Sequence, residues 1–170
     1  MFAAFANDPG TANLTSLVSP PFAITATSAQ LSFRNKFATE PTFDGEILEM
    51  KVDAGAFQDI ILAGGSFVSG GYNATISPFT DSPIAGRSAW SGISAGYIDT
   101  VVKLPAAANG HTVQYRWRMA SDGSLDSTGV NVDGVSIINS FVCSQVDSVN
   151  KAPFDFDGDG KTDVSIFRPS

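Results

Sequence analysis

An apolar side chain stands at every second position along most of the stretch Thr112-Val113-Gln114-Tyr115-Arg116-Trp117-Arg118-Met119. Successive side chains of a β-strand point to opposite faces, so this spacing predicts a strand with one buried face. Gln114, Arg116 and Arg118 occupy the other face. The stretch Gln30-Leu31-Ser32-Phe33-Arg34 alternates in the same way. Both stretches therefore indicate sheets that cover a core on one side.

Strand-like runs fill most of the rest of the chain. Short runs of β-branched, aromatic and other apolar residues alternate with clusters of Gly, Pro, Asn, Asp and Ser, a pattern typical of strands joined by turns. The predicted strands are 14–18, 22–25, 30–37, 46–52, 57–61, 72–76, 89–93, 97–104, 112–119 and 130–139. A short helical turn is predicted only at 105–110, with Gly110 as its stop. The glycine-rich segment 64–71 is predicted to be a flexible connection between sheets.

This pattern predicts an all-β protein. Without the spacing of βαβ units, the strands favour two packed antiparallel sheets, a β-sandwich of the jelly-roll type. We expect residues 1–145 to form the sandwich and the polar residues 146–153 to form a linker. Residues 154–170 are then a short calcium-loop appendage, which is too small to have its own core. We expect this appendage to be the truncated start of another unit.

The composition indicates a folded, acidic protein. Hydrophobic residues make up 43% of the chain and charged residues 16%, as in globular domains. The net charge of −7 argues against a nucleic-acid partner, whose binding requires clustered Lys and Arg. No stretch approaches the roughly 20 apolar residues of a transmembrane helix, so no membrane span is predicted.

The most acidic segment is Asp155-Phe156-Asp157-Gly158-Asp159-Gly160-Lys161-Thr162-Asp163. Carboxylates at alternate positions of a tight loop can converge on a hard cation, which binds oxygen ligands. The predicted Ca²⁺ ligands are the side chains of Asp155, Asp157, Asp159 and Asp163 and the carbonyl of Lys161. A solvated acidic turn without metal is the alternative. Ile166 stands where an EF-hand requires a bidentate Glu, and no helices flank the loop, so an EF-hand is excluded.

The acidic loop resembles the Asp-rich loop of FG-GAP and integrin-type propeller repeats. Earlier pieces of the chain, within residues 10–140, resemble the MAM-like domains that accompany secreted metallopeptidases of the immune-inhibitor A type. These pieces include Phe43-Asp44-Gly45-Glu46-Ile47-Leu48-Glu49, Ala85-Gly86-Arg87-Ser88-Ala89-Trp90-Ser91-Gly92 and Gly129-Val130-Asn131-Val132-Asp133-Gly134-Val135. Gly45-Glu46 and Asn131 depart from the usual pattern of that family.

The MAM-like resemblance implies a jelly-roll module without catalytic activity. It also implies an extracellular or cell-surface protein, whose export signal is not present in this chain. A second Ca²⁺ site is implied at Glu40, Asp44 and Asp122, with Asp133 as a further candidate. Ordinary turn-capping by these acids is the alternative.

Two non-catalytic functions are compatible with such a module. In the first, calcium rigidifies loops that present a face to a glycan or a cell-surface protein, for adhesion. Binding sites of this kind combine aromatic and polar side chains, and Trp90, Tyr72 and Tyr97 are the candidate ligand-binding residues. In the second, the module is a spacer or a structural subunit of an extracellular assembly, which self-associates through its sheet edges.

Catalysis is the third and least favoured possibility. Retaining glycoside hydrolases use two carboxylates about 5–5.5 Å apart, and Asp44, Glu46 and Glu49 are the acidic residues that invite this comparison. Glu49 is expected on the opposite face of the strand from Glu46. His111 is the only histidine, and the chain contains neither a zinc-binding helix motif nor a nucleophile elbow. We therefore expect no enzymatic activity.

Overall fold

A computed structural model describes residues 3–139. Its strands are β1 (Ala4–Asp8), β2 (Asn13–Val18), β3 (Phe22–Ala23), β4 (Gln30–Ala38), β5 (Gly45–Val52), β6 (Gln58–Asp59), β7 (Ser66–Ser69), β8 (Ala74–Thr75), β9 (Ser88–Ala89), β10 (Ile98–Lys103), β11 (Thr112–Ser121) and β12 (Ser127–Ile138). A single 3-10 turn in this range, Ala106–Ala108, precedes β11. Gly110 follows it with φ of +84°, as expected for a glycine stop.

Two antiparallel sheets pack face to face. Sheet A has the strand order β1-β12-β4-β10-β7. Sheet B has the order β2-β11-β5-β6, and β3 also pairs with β11. The small strands β8 and β9 form a separate two-stranded ribbon. The predicted all-β, two-sheet antiparallel sandwich is therefore confirmed.

The core lies between the two sheets. Along β11 the side chains of Val113, Tyr115 and Trp117 are buried, as the alternation predicts. Phe33 of β4 meets the Trp117 ring edge-to-face, with the ring centroids 5.2 Å apart. Such aromatic pairs contribute about 0.5–1.5 kcal/mol beyond the burial of their area. The alternating stretch 112–119 thus supplies the centre of the core.

A third layer covers part of the outer face of sheet B. Residues that belong to this layer or to the sheet beneath it form a second buried cluster, made of Ile47, Ile76, Ile84, Ala89 and Ala120. Ile47 of β5 faces this cluster, whereas its neighbour Leu48 faces the core between the sheets. The strand β5 is therefore buried on both faces, which is why its sequence does not alternate cleanly.

Some strands differ from the prediction. β1 lies outside every predicted strand. The predicted flexible connection 64–71 is wrong in part, because Ser66–Ser69 pairs with β10 as an edge strand. The predicted strands 72–76 and 89–93 shorten to two residues each because the chain there folds over sheet B. No helix within residues 3–139 is long and apolar enough to cross a membrane.

Candidate metal centre

Four carboxylates meet at one end of the sandwich. Asp8 is the last residue of β1, Glu40 and Asp44 lie between β4 and β5, and Asp122 follows β11. The strand register brings these positions together, since Asp8 pairs with Ser127 at the start of β12. Residues Ala120 and Gly45 also pair at this end.

The spacing of the oxygens suits a single ion. One carboxylate oxygen from each of Glu40, Asp44 and Asp122 lies within 4.8 Å of the other two. Calcium binds oxygen ligands at about 2.3–2.6 Å, so two oxygens on the same ion lie no more than roughly 5 Å apart. The three residues that the family resemblance implied are therefore brought close enough to share one cation.

Asp8 joins this group, although no sequence motif identifies it. Its side chain is only 2% exposed, and both carboxylate oxygens lack a hydrogen-bond partner. The carboxylate lies beside Asp44 and the backbone of Glu40. In the sequence, Asn7-Asp8-Pro9-Gly10 has the composition of an ordinary turn, so the residues alone give no sign that this acid is buried.

Local hydrogen bonds orient the carboxylates. Thr80 Oγ1 donates to Asp122 Oδ2 at 2.7 Å, and the Ser124 amide donates to Asp122 Oδ1 at 2.8 Å. The Asp122 amide donates to Asp44 Oδ1 at 2.6 Å, whereas Asp44 Oδ2 is buried without a partner. These bonds fix the positions of the acids and leave oxygen lone pairs available to an ion.

The charges of the cluster are poorly compensated. Burial, together with the nearby Asp8 and Asp122 carboxyls, raises the pKa of Asp44 to about 7. Burial also raises the pKa of Asp8; the nearby Asp44 carboxyl and Glu40 backbone reduce this effect, and the charges of Glu40 and Asp122 add to it. Burial would raise the pKa of Asp122 as well, but hydrogen bonds from Thr80 and Ser124 hold it below the ordinary value. Like charges this close favour protonation or a bound cation.

The donor set identifies the kind of ion that would fit. All four side chains offer carboxylate oxygen, and hard cations such as Ca²⁺ prefer oxygen ligands. Zinc sites use Cys and His, and the cluster contains neither. The buried, unpaired oxygens of Asp8 and Asp44 are the groups that such an ion would satisfy.

The remaining predicted metal ligands do not belong to this cluster. Asp133 lies further along β12 and forms a salt bridge of 2.6 Å with Arg34, so it is not part of the site. The acidic loop with Asp155, Asp157, Asp159, Lys161 and Asp163, like the predicted linker 146–153, lies outside the described residues.

The three candidate ligand-binding aromatics occupy very different environments. Trp90 is 0% exposed and its Nε1 donates to the Gly70 carbonyl at 2.8 Å. Tyr72 packs against Trp90 with ring centroids 4.7 Å apart, and its hydroxyl is bonded to the backbone of Leu48. Trp90 is therefore a core residue, whereas Tyr72 is only partly buried and lines a cavity of about 540 Å³ together with Asp59 and Arg87. Tyr97 is the most exposed of the three, at 43%.

Two of the acids compared with glycosidase carboxylates, Glu46 and Glu49, lie on opposite faces of β5. Glu46 faces the space between the sheets, where Asn35 Nδ2 donates to Glu46 Oε2 at 3.4 Å. Burial raises the pKa of Glu46 to about 8. Glu49 faces outward and accepts hydrogen bonds from Arg87 and Arg116. Glu46 and Glu49 therefore do not form a catalytic pair, and Asp44 belongs to the carboxylate cluster.

The outward-facing Glu49 is the centre of an arginine network. Arg116 Nε donates to Glu49 Oε2 at 2.8 Å and Arg87 Nη1 donates to Oε1 at 3.0 Å. Arg118 Nη1 lies 3.5 Å from Oε1. Burial alone would raise the pKa of Glu49, but the hydrogen bonds from Arg116 and Arg87 hold it below the ordinary value.

We expect Glu49→Gln to lower the free energy of unfolding by about 1–3 kcal/mol at pH 7, because hydrogen bonds to a charged group are lost. A carboxylate with a lowered pKa stabilises the fold above its unfolded-state pKa and loses that effect as the pH falls through the folded-state pKa. Urea unfolding between pH 7 and pH 3 should therefore show a steeper decline for the wild type than for Glu49→Gln. The exposed Asp126→Asn variant is the control, and parallel pH profiles for wild type and Glu49→Gln would contradict the prediction.

No protein-family model matches this sequence, and no curated protein is significantly similar to it. A functional assignment therefore depends on the chemistry of the described residues.

Proposed function

We propose that the sandwich is a non-catalytic, calcium-binding module in which Asp8, Glu40, Asp44 and Asp122 hold one Ca²⁺. The observation that supports this most strongly is the set of buried, unpaired oxygens on Asp8 and Asp44. They lie beside two further carboxylates, in an arrangement that is costly without a cation. Since the donors are all oxygen, calcium is the ion that fits best.

The role of the ion in this proposal is structural. Its ligands come from the end of β1, from the connection between β4 and β5, and from the connection that follows β11. Because β1 is an edge strand of sheet A, a shared ion would tether it to both sheets. The rigid sandwich would then serve adhesion, as a binding module within a larger secreted or surface protein.

Calorimetric titration of the full chain with Ca²⁺ tests the metal site. Asp44→Asn should remove one binding event, because it deletes a charged ligand at the centre of the cluster. Asp126→Asn, an exposed acid close to Asp122 in the chain, is the matched control and should leave the titration unchanged. Asp157→Ala reports separately on the predicted acidic loop. If Asp44→Asn binds Ca²⁺ as the wild type does, the proposed site is wrong.

For the ligand-binding face we propose the exposed ring of Tyr97. The Arg34 guanidinium lies 5.1 Å from its centroid, and Arg34 is paired with Asp133. An exposed aromatic ring beside fixed polar groups is the combination that sugar-binding sites use. The proposed face would then lie on the outer side of sheet A.

Tyr97→Ala should weaken binding to any glycan that the wild type recognises by at least tenfold, because the stacking surface is lost. A glycan array followed by titration of the strongest hit measures this. Phe79→Ala is the control, since Phe79 is 95% exposed and is not part of the proposed face. Equal binding by Tyr97→Ala and the wild type, with both folded, would place the ligand elsewhere.

A further inference from the structure

A cavity opens between two edge strands on one side of the sandwich. The strands are β1 of sheet A and β2 of sheet B, and the volume is about 110 Å³. Its walls are mainly apolar and include Ala4, Ala6, Leu17, Met119, Val130 and Val132. A cavity of about 150 Å³ in an apolar core can hold benzene, so this space suits a slightly smaller group.

Two buried polar side chains also line the cavity. Glu46 is 0% exposed, and its Oε1 has no hydrogen-bond partner. Trp117 is nearly as buried, and its Nε1 is likewise without a partner. Buried polar groups in folded proteins are almost always hydrogen-bonded, so a carboxyl oxygen of Glu46 and the N–H donor of Trp117 remain to be satisfied.

The surrounding network fixes the orientation of Glu46. Thr100 Oγ1 contacts Asn35 Oδ1 at 3.1 Å, which turns the Asn35 amide nitrogen toward Glu46 Oε2. One oxygen of the carboxyl group is therefore held by sheet A. The second oxygen is left for whatever occupies the cavity.

We propose that this cavity binds a small neutral aliphatic alcohol, with the hydroxyl between Glu46 and Trp117 and the carbon chain against the apolar walls. A hydroxyl oxygen can accept from Trp117 Nε1, and its second lone pair or its proton can pair with Glu46 Oε1, whether that carboxyl is protonated or ionised. The volume suits about four or five non-hydrogen atoms, judged against the cavity that holds benzene. A longer chain would leave through the opening between β1 and β2.

Other ligand classes satisfy the two polar atoms less well. An alkylammonium can donate to Glu46, but it has no lone pair to accept from Trp117. A carboxylate would lose its hydration in a mainly apolar space and would lie against another carboxyl group. A hydrocarbon would leave both polar atoms unpaired.

The two tryptophans of the chain allow a direct test on the full-length protein. In a ¹H–¹⁵N spectrum, titration with 1-butanol should shift the Trp117 indole signal saturably. The Trp90 indole, which is already bonded to Gly70, should stay in place. Butylammonium and butanoate should bind at least tenfold more weakly than 1-butanol.

Two variants separate the polar from the apolar part of the proposal. Trp117→Phe keeps most of the ring but removes the N–H, and it should weaken 1-butanol binding at least tenfold. Ala6→Leu fills the cavity, keeps both polar side chains and should abolish binding even if Trp117→Phe fails to fold. The absence of a saturable shift in the wild type would overturn the proposal, because water alone then satisfies the two atoms. Unchanged binding by Ala6→Leu would also overturn it.

Discussion

Replacing Trp90 with alanine should lower the free energy of unfolding by about 3–5 kcal/mol, the range found when a large aromatic is removed from a core. The ring has no exposed surface. It packs edge-to-face against Phe33 at 5.8 Å and Phe67 at 5.5 Å. The variant also removes the indole donor to the Gly70 carbonyl, to which only the Thr100 hydroxyl would still donate. Guanidinium unfolding in the presence of Ca²⁺ measures the loss.

Tyr97→Ala is the matched control for this measurement. It removes an aromatic side chain of similar size from the surface, where substitutions usually change stability by less than about 0.5 kcal/mol. The contact with Arg34 adds little more at an exposed site. If the two variants lost the same stability, the core position of Trp90 would be contradicted. A stable Trp90→Ala protein with lost glycan binding would restore Trp90 as a ligand-binding residue.

Calcium should raise the melting temperature of the wild type. An ion bound only by the folded state stabilises it by about 2.7 kcal/mol when its concentration is 100 times Kd. For a domain of this size that corresponds to a shift of roughly 10 °C. The Asp157→Ala background restricts the measurement to the carboxylate cluster, because it disables the predicted acidic loop. Scanning calorimetry with and without a chelator gives the shift.

Asp44→Asn should change stability in opposite directions in the presence of a chelator and in excess Ca²⁺. In chelator at pH 8, where the Asp44 carboxyl is ionised, it should raise the melting temperature, because it removes one of several like charges whose oxygens lie within 4.8 Å of one another. In excess Ca²⁺ it should lower the melting temperature relative to the wild type, because a ligand is lost. Asp126→Asn should leave the melting temperature unchanged in both conditions. A variant that is destabilised equally with and without Ca²⁺ would indicate that Asp44 has only a structural role.

Much of the sandwich could be predicted because burial leaves a local pattern. The alternation in 112–119 is a direct result of one face of the strand being exposed to solvent and the other being buried. β1 was not predictable in this way. Its exposure alternates, but the apolar Phe5 faces outward and the acidic Asp8 is buried, so the polarity of its sequence does not follow the exposure. The burial of Trp90 could not be predicted either, for a different reason. Its neighbours suggest a strand, but nothing local shows that the Glu46 bridge turns its ring into the core.

The carboxylate cluster shows why sites are harder to predict than strands. Glu40 and Asp44 are close in the chain, but Asp122 reaches them only through the pairing of β11 with β5. Asp8 reaches them through the pairing of β1 with β12. The local spacing of residues does not predict such long-range pairing. The family resemblance suggested three of the four acids, and the fourth required the fold.

The pairing of β1 with β12 has a mechanical consequence. The two strands are antiparallel, and Ala4 lies opposite Val132 while Asp8 lies opposite Ser127. Tension applied before Ala4 and after Ile138 would therefore act at the same end of this ladder. It would separate the hydrogen-bonded pairs one at a time, as in unzipping, and would not load them all together, as in shear. The carboxylate cluster lies at the opposite end of this ladder, at Asp8, so its contacts would be the last to break under force.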